Sequence, residues 1–241
     1  MISKNRIRFI KSLEQKKIRQ QEGLFVIEGE KMINEAIEWI PNYIDSIYYT
    51  KEFEFKNKPK NAIIEEVNEN ELKNISSLKT PNKALALCKF IHSSSTFSNY
   101  ILALDGIQDP GNLGTILRMA DWFGISHVIC SNDTVDCYNP KVLQATMGAI
   151  FRVSVTYISL EDFFDQNNKP VYGALLEGEN LFQENFQKEG VIILGNEGNG
   201  IRQNIKKYID YPITIPRYGS AESLNVATAG AIILGSLFRG I

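Results

Sequence analysis

Histidine and cysteine are scarce. The 241 residues hold two histidines, His92 and His127, and three cysteines, Cys88, Cys130 and Cys137, with no CxxC pair. An odd thiol count without ligand spacing argues against both a disulfide framework and a zinc site, so no metal is expected. Two histidines also leave little for histidine acid–base chemistry, and His127, directly before an apolar strand, reads as structural. Neither GxxxxGK[ST] nor GxGxxG occurs: Gly111-Asn112-Leu113-Gly114 and Gly195-Asn196-Glu197-Gly198-Asn199-Gly200 have other spacings, and no Lys follows either loop. No Ser or Cys sits in a GxSxG elbow with a partner His, which removes the usual covalent hydrolases. The longest apolar run, near the C-terminus, is broken by Ser, Thr and Gly and falls short of a bilayer span. The first residues, MISKNRIRFIKS, lack the uninterrupted apolar core of a secretion signal, so a cytoplasmic protein is expected.

The remaining composition is that of a soluble chain, 44% apolar and 22% charged, long enough for one large or two ordinary domains. Its net charge of −2 is unevenly spread. Residues 1–100 carry 16 Lys+Arg against 13 Asp+Glu, a net +3, and residues 101–241 carry 10 against 15, a net −5. Residues 1–19 hold Lys4, Arg6, Arg8, Lys11, Lys16, Lys17 and Arg19 against Glu14 alone. With Ile7, Ile10, Leu13 and Ile18 at roughly helical spacing, this reads as a basic amphipathic helix suited either to a phosphate backbone or to a solvated face.

Gly23 stops that helix, and strand 24–27 leads through Glu28-Gly29-Glu30 into a helix that Pro41 ends. Strands at 44–50, 62–67 and 84–91 and a helix at 68–76 complete a small α/β unit over residues 1–91. The Ser-rich stretch HSSSTFSN, residues 92–99, reads as a linker. From residue 100 to 241, apolar strands at 100–104, 126–130, 151–157, 170–176, 191–195 and 213–215 alternate with helices at 112–123, 140–147, 160–167, 202–207 and 223–238. That alternation predicts a mainly parallel sheet with helices on both faces.

Three strand ends in this second half share one design. Strand 100–104 runs into LDGIQDPGNLGTILRMADWFGI, strand 191–195 turns through Asn196 to Gly200, and strand 213–215 is ended by Pro216 before PRYGSAESLNVATAGAIILGSLFRG. Each sets Gly and a polar or acidic residue where a buried strand runs out, the place where open α/β sheets bind ligands. Ser223 reads as the N-cap of the last helix, whose apolar residues surround more than one face and predict burial. The polar residues gathered are Asn112, Arg118, Glu197, Ser223 and Asn225. Such groups bind and orient, which suits a reaction whose hard chemistry a cofactor carries.

In order and separation, the stretches NLGTILRMADWFGI after LDGIQDPG, LGNEGNGI, and IPRYGSAESLNVATAGAIIL resemble the three motifs of the SpoU group of RNA 2′-O-ribose methyltransferases. LFVIEGEKMINEAI resembles the small substrate-binding domain that precedes the catalytic domain in many members. The resemblance implies an RNA-binding domain at 1–91 and a catalytic domain at 100–241 with a C-terminal trefoil knot, S-adenosylmethionine held by the knotted loops, and a homodimer. Periodicity alone gives only a doubly wound sheet, because knots are nearly absent from proteins. Carried over, Asn112, Arg118, Glu197, Ser223 and Asn225 would be catalytic. Leu194, Gly195, Glu197, Gly198, Ile215, Ser223, Leu224 and Asn225 would hold the cofactor. The RNA partner would be ribosomal ahead of transfer RNA. The competing class is a non-catalytic RNA-binding or ribosome-assembly protein that kept the fold, which predicts eroded cofactor loops.

Overall fold

The structure is a computed structural model that describes residues 1–59, 61–92 and 98–239. Most of the expected linker, residues 93–97, lies outside the described residues. The chain divides into two compact units: Met1–His92 with Tyr138–Phe151, and Ser93–Cys137 with Arg152–Ile241.

The first unit begins with α1 (Lys4–Ser12) and α2 (Lys16–Glu22). Then follow β1 (Leu24–Glu28), α3 (Glu30–Trp39), β2 (Ile44–Tyr49), β3 (Ile63–Glu66), α4 (Glu69–Ile75) and β4 (Ala84–Lys89). Its four-stranded sheet has the order β1-β4-β2-β3, with β4 antiparallel to both neighbours and β3 parallel to β2. Ile10 and Leu13 pack with Leu72 and Ile75 of α4 and Leu85 and Leu87 of β4 in one buried cluster. Asn68 and Glu71 form a reciprocal capping box at the start of α4, satisfying two otherwise orphaned N–H groups.

The basic helix is in fact two. Arg19 is 2% exposed, and its guanidinium donates to the carbonyls of Leu13 (2.8 Å) and Glu14 (2.7 Å). The Leu13 carbonyl belongs to the C-cap of α1, among the groups a helix leaves without partners, and Glu14 follows it in the turn to α2. Arg6 is also engaged, donating to Tyr48 Oη (2.7 Å) and Ser46 Oγ (3.0 Å) beside Asp45. Two of the seven cations therefore hold the fold, and Lys4, Arg8, Lys11, Lys16 and Lys17 remain exposed.

The second unit holds β5 (Tyr100–Asp105), α5 (Pro110–Trp122) and β6 (His127–Cys130). After α6 (Pro140–Thr146) come β7 (Ser154–Tyr157), α7 (Leu160–Asp165), β8 (Val171–Asn180) and β9 (Gly190–Gly195), then α8 (Gln203–Lys206), β10 (Tyr211–Thr214) and α9 (Val226–Leu237). The six strands run in the order β10-β8-β9-β5-β6-β7, and every pairing is parallel. Ile101, Ala103, Val191 and Ile193 face α7 and α8 through Leu160, Phe164 and Ile205. Because side chains alternate along a strand, Leu102, Leu104, Ile192 and Leu194 point the other way, toward α5 and α9. The approach there is close: a Cβ on Gly230 of α9 would lie 2.8 Å from Met119 of α5 and 2.9 Å from Leu194. The described helices thus cover both faces of the sheet.

Three further details depart from the sequence reading. Segment 138–151, read as part of the second domain's alternation, packs with the first unit. There Tyr138 stacks on Phe25 and on Phe90, with centroids 4.4 Å apart in both cases, and α6 lies against β1. The last helix starts at Val226 and is capped by Asn225, whose side chain accepts from the N–H groups of Ala227 and Thr228; Ser223 is not the cap. Nor is that helix buried all round, since Thr228, Ala231 and Gly235 form an exposed stripe of small residues. His127, 1% exposed beside the Ser126 hydroxyl at 2.9 Å, is structural.

Candidate active site

The carboxyl ends of β5 and β9 lie in register, with Leu104 opposite Leu194 and Asp105 opposite Gly195. Asp105 closes its strand with a carboxylate that is fully buried. It accepts from the Arg202 backbone N–H (2.7 Å) and from Arg202 Nε (2.6 Å), and the guanidinium's Nη2 pairs with it as well. This hydrogen bond holds the Arg202 guanidinium above its ordinary pKa. A buried carboxylate is tolerated only when paired and hydrogen-bonded in this way. The pair fixes the far end of the loop that leaves β9.

The near end is fixed by Asn196. Its amide donates to the Gly106 carbonyl (2.7 Å) and accepts from the N–H groups of Gly198 (2.9 Å) and Asn199 (3.1 Å), while its backbone exchanges two hydrogen bonds with Gly200. The result is a closed loop over 196–200. Gly195 is required at its base, because a Cβ there would meet the backbone of Gly200 and Ile201 at 2.3 Å.

A second set of polar groups joins three chain segments that are far apart in sequence. Asn225 Oδ1 accepts from Ala227 and Thr228 at the start of α9 (3.0 and 3.2 Å), so its amide nitrogen faces outward and donates to Asn112 Oδ1 (2.8 Å). That in turn orients Asn112, whose nitrogen donates to Glu197 Oε1 (2.8 Å). Asn112 is itself placed by Asp109, the N-cap of α5, which accepts its backbone N–H at 2.8 Å. The helix terminus therefore fixes the orientation of both amides, and the chain can end only on an acceptor, as the Glu197 carboxylate is.

Beside this chain lies a cavity of about 850 Å³. Its walls come from the end of β9 and loop 196–201, from the segment after β10, and from residues 174–177 of β8. β8 can supply the last of these because its pairing with β10 slips: Pro212 pairs with Gly173, but Ile213 pairs with Glu179. Of the expected cofactor residues, Leu194, Gly195, Glu197, Gly198, Ile215, Ser223 and Leu224 line the cavity; Asn225 stands behind it in the polar chain. Asn112 is likewise outside the lining. Arg118 lies on the exposed face of α5 with Thr115 and Trp122, and its side chain makes no hydrogen bond or ion pair among the described residues. The structure thus joins Asn112, Glu197 and Asn225 directly, sets Ser223 on the cavity wall, and leaves Arg118 apart from both groups.

The size is that of a cofactor pocket. Leu194, Ile213, Ile215 and Val226 offer apolar surface for a heterocycle, the glycines expose backbone, and Glu177, Glu197 and Glu222 supply negative charge suited to a sulfonium. Among the described residues no cluster of His, Cys, Asp and Glu could hold a metal ion.

Residues 99–235 match the family model of the SpoU rRNA Methylase family. The chain belongs to that family. In this SpoU chain, residues 4–86 match in addition the MRM3-like substrate binding domain. Over 229 residues it is 32% identical to the 23S rRNA (guanosine(2553)-2′-O)-methyltransferase RlmP of Bacillus subtilis (strain 168), covering 93% of this chain and 92% of that one. A TrmH-family protein from Porphyromonas gingivalis superposes with a TM-score of 0.91 at 37% identity, over 99% of each chain. The AdoMet-bound rRNA methyltransferase from Sinorhizobium meliloti superposes with a TM-score of 0.86 at 26% identity, over all of this chain and 97% of that one.

Sequence reasoning on the SpoU chain overlooked Asp105 and Arg202, and gave Asn196 only a place in the turn after strand 191–195. A signal for the first was available: one carboxylate directly after YILAL, where an apolar parallel strand ends. Its partner, 97 residues away, had no such mark.

Proposed function

We propose that this chain methylates a ribose 2′-hydroxyl in ribosomal RNA, using S-adenosylmethionine held in the cavity between loop 196–201 and the segment after β10. The observation that carries the reading is the oriented chain Asn225–Asn112–Glu197 beside an intact cavity of about 850 Å³. The assembly-factor alternative calls for eroded cofactor loops, and loop 196–200 is braced at both ends. Residues 1–91 serve as the RNA-binding domain and residues 100–241 as the catalytic one. The segments lining the cavity form a trefoil knot, and the protein acts as a cytoplasmic homodimer. Two exposed features support the dimer: Trp122, 85% exposed, and the small-residue stripe of α9. No described helix is long and apolar enough to cross a membrane.

When bound, S-adenosylmethionine supplies an electrophilic methyl on a sulfonium. Loop 196–200 and residues 213–224 hold it, with Glu197 placed by Asn112 so that its charge faces the site. Positioning the hydroxyl in line can account for much of the barrier lowering. Arg118 grips the phosphate next to the target ribose and stabilises the developing alkoxide. A guanidinium keeps its proton and cannot serve as base, so the hydroxyl proton would pass to a phosphate oxygen or water. Mapping ribose methylation in ribosomal RNA from cells with and without the protein tests the reading: one 2′-O-methyl mark should be lost, and an unchanged map would contradict it.

Two further results are expected. Asn225→Asp keeps the helix cap but cannot donate to Asn112. It should leave stability nearly unchanged while lowering single-turnover transfer roughly tenfold, whereas Asn225→Ala should also cost about 1 kcal/mol in denaturant unfolding. Equal transfer by the Asp variant and the wild type would remove the polar chain from the mechanism. Charge reversal at Lys4, Lys11, Lys16 and Lys17 should weaken RNA binding and flatten its salt dependence, because fewer counterions are released. An unchanged salt slope would make α1 and α2 a solvated face.

A further inference from the structure

Two cationic side chains, Lys206 and Arg217, line the cavity, alongside Glu177, Glu197 and Glu222. The carboxylates answer the positive groups of a sulfonium amino acid. Its own carboxylate needs a cation. Arg217 is already engaged, its Nη1 donating to the Ala221 carbonyl (3.2 Å) within its own loop. The Lys206 side chain makes no hydrogen bond or ion pair among the described residues. Its place is fixed all the same, because α8 begins directly after Arg202, whose backbone and guanidinium are tied to buried Asp105. The neighbouring Lys207 is turned away, its ammonium lying 4.7 Å from the centroid of the Tyr208 ring.

We infer that Lys206 anchors the α-carboxylate of the amino-acid moiety of S-adenosylmethionine, as a residue of the cofactor site not implied by the three sequence motifs. The inference rests on the proposed cofactor reading and deepens it. An ammonium on a four-carbon stem can follow a carboxylate that arrives with the ligand, and a charge-assisted hydrogen bond forms only when both are present.

Calorimetry on the full chain tests this with three probes. S-Adenosylmethionine and S-adenosylhomocysteine carry the carboxylate; 5′-methylthioadenosine shares the nucleoside and sulfur but lacks the amino-acid group. Lys206→Gln should raise Kd for the first two about tenfold and leave methylthioadenosine within twofold. Lys206→Arg should restore most of the loss, and Lys207→Gln should change none of the three. Equal weakening of all three ligands would overturn the inference by showing general damage to the pocket. Unchanged S-adenosylmethionine affinity with a raised KM for RNA would overturn it by assigning Lys206 to the RNA. If the wild type bound none of the three, the cofactor reading itself would fall, an outcome distinct from failure of the Lys206 assignment alone.

Discussion

Arg118→Ala should lower single-turnover methyl transfer by about 10²-fold, the scale for removing one donor that stabilises developing charge, while S-adenosylmethionine affinity stays within twofold. The two expectations come from different facts. Arg118 lies outside the cavity lining and has no partner among the described residues, so neither cofactor binding nor folding depends on it. It sits six residues past Asn112 on α5, about one and two-thirds turns along the helix, and an exposed guanidinium there is free for an RNA phosphate. Arg118→Lys should recover only part of the rate, because an ammonium keeps the charge but loses the planar fork that grips two phosphate oxygens. Wild-type transfer by the alanine variant would make Arg118 a bystander. A matching loss of cofactor affinity would place it in the cofactor site instead.

Gly195→Ala is expected to abolish measurable S-adenosylmethionine binding. The added methyl would stand 2.3 Å from both the Gly200 carbonyl carbon and the Ile201 nitrogen, and both are backbone atoms that no rotamer change can move. Loop 196–200 cannot simply step aside, since Asn196 ties one end to Gly106 and Arg202 ties the other to Asp105. Either the loop breaks those bonds or β9 shifts against β5. Both outcomes move the cavity wall, with an overpacking cost of about 1–3 kcal/mol. Calorimetry and thermal unfolding measured together separate the two effects. A variant that unfolds earlier yet binds the cofactor with wild-type affinity would show that this loop is not the cofactor wall.

Much of the architecture could be read from local pattern because most strands of the second sheet carry a short apolar run closed by Gly, Pro or a polar residue; β8 runs on through the polar stretch Glu177–Asn180. That pattern also marked the three strand ends that build the site, since a buried parallel strand can meet a ligand only where it runs out. What escaped were pairings across long separations. Nothing local joins Asp105 to Arg202, or Tyr138 to Phe25 and Phe90, although the second contact places 138–151 with the first unit. The seven cations of residues 1–19 looked equivalent in sequence, yet Arg19 and Arg6 have structural partners because helix ends and buried hydroxyls compete with solvent for guanidinium groups. Ser223 and Asn225 were equally good cap residues by type. The hydrogen bonds from Ala227 and Thr228 decide for Asn225, which frees Ser223 for the cavity wall.

The central claim is methyl transfer to a ribose oxygen, and nucleoside analysis after transfer in vitro tests it most directly. The purified chain would be incubated with methyl-labelled S-adenosylmethionine and ribosomal RNA lacking the mark, and the RNA then digested to nucleosides. The account predicts label in a single 2′-O-methylnucleoside, with the rate of labelling lowered about 10²-fold in Arg118→Ala. Label on a base, or bound cofactor with no label in any RNA offered as free strand or ribosomal particle, would contradict it.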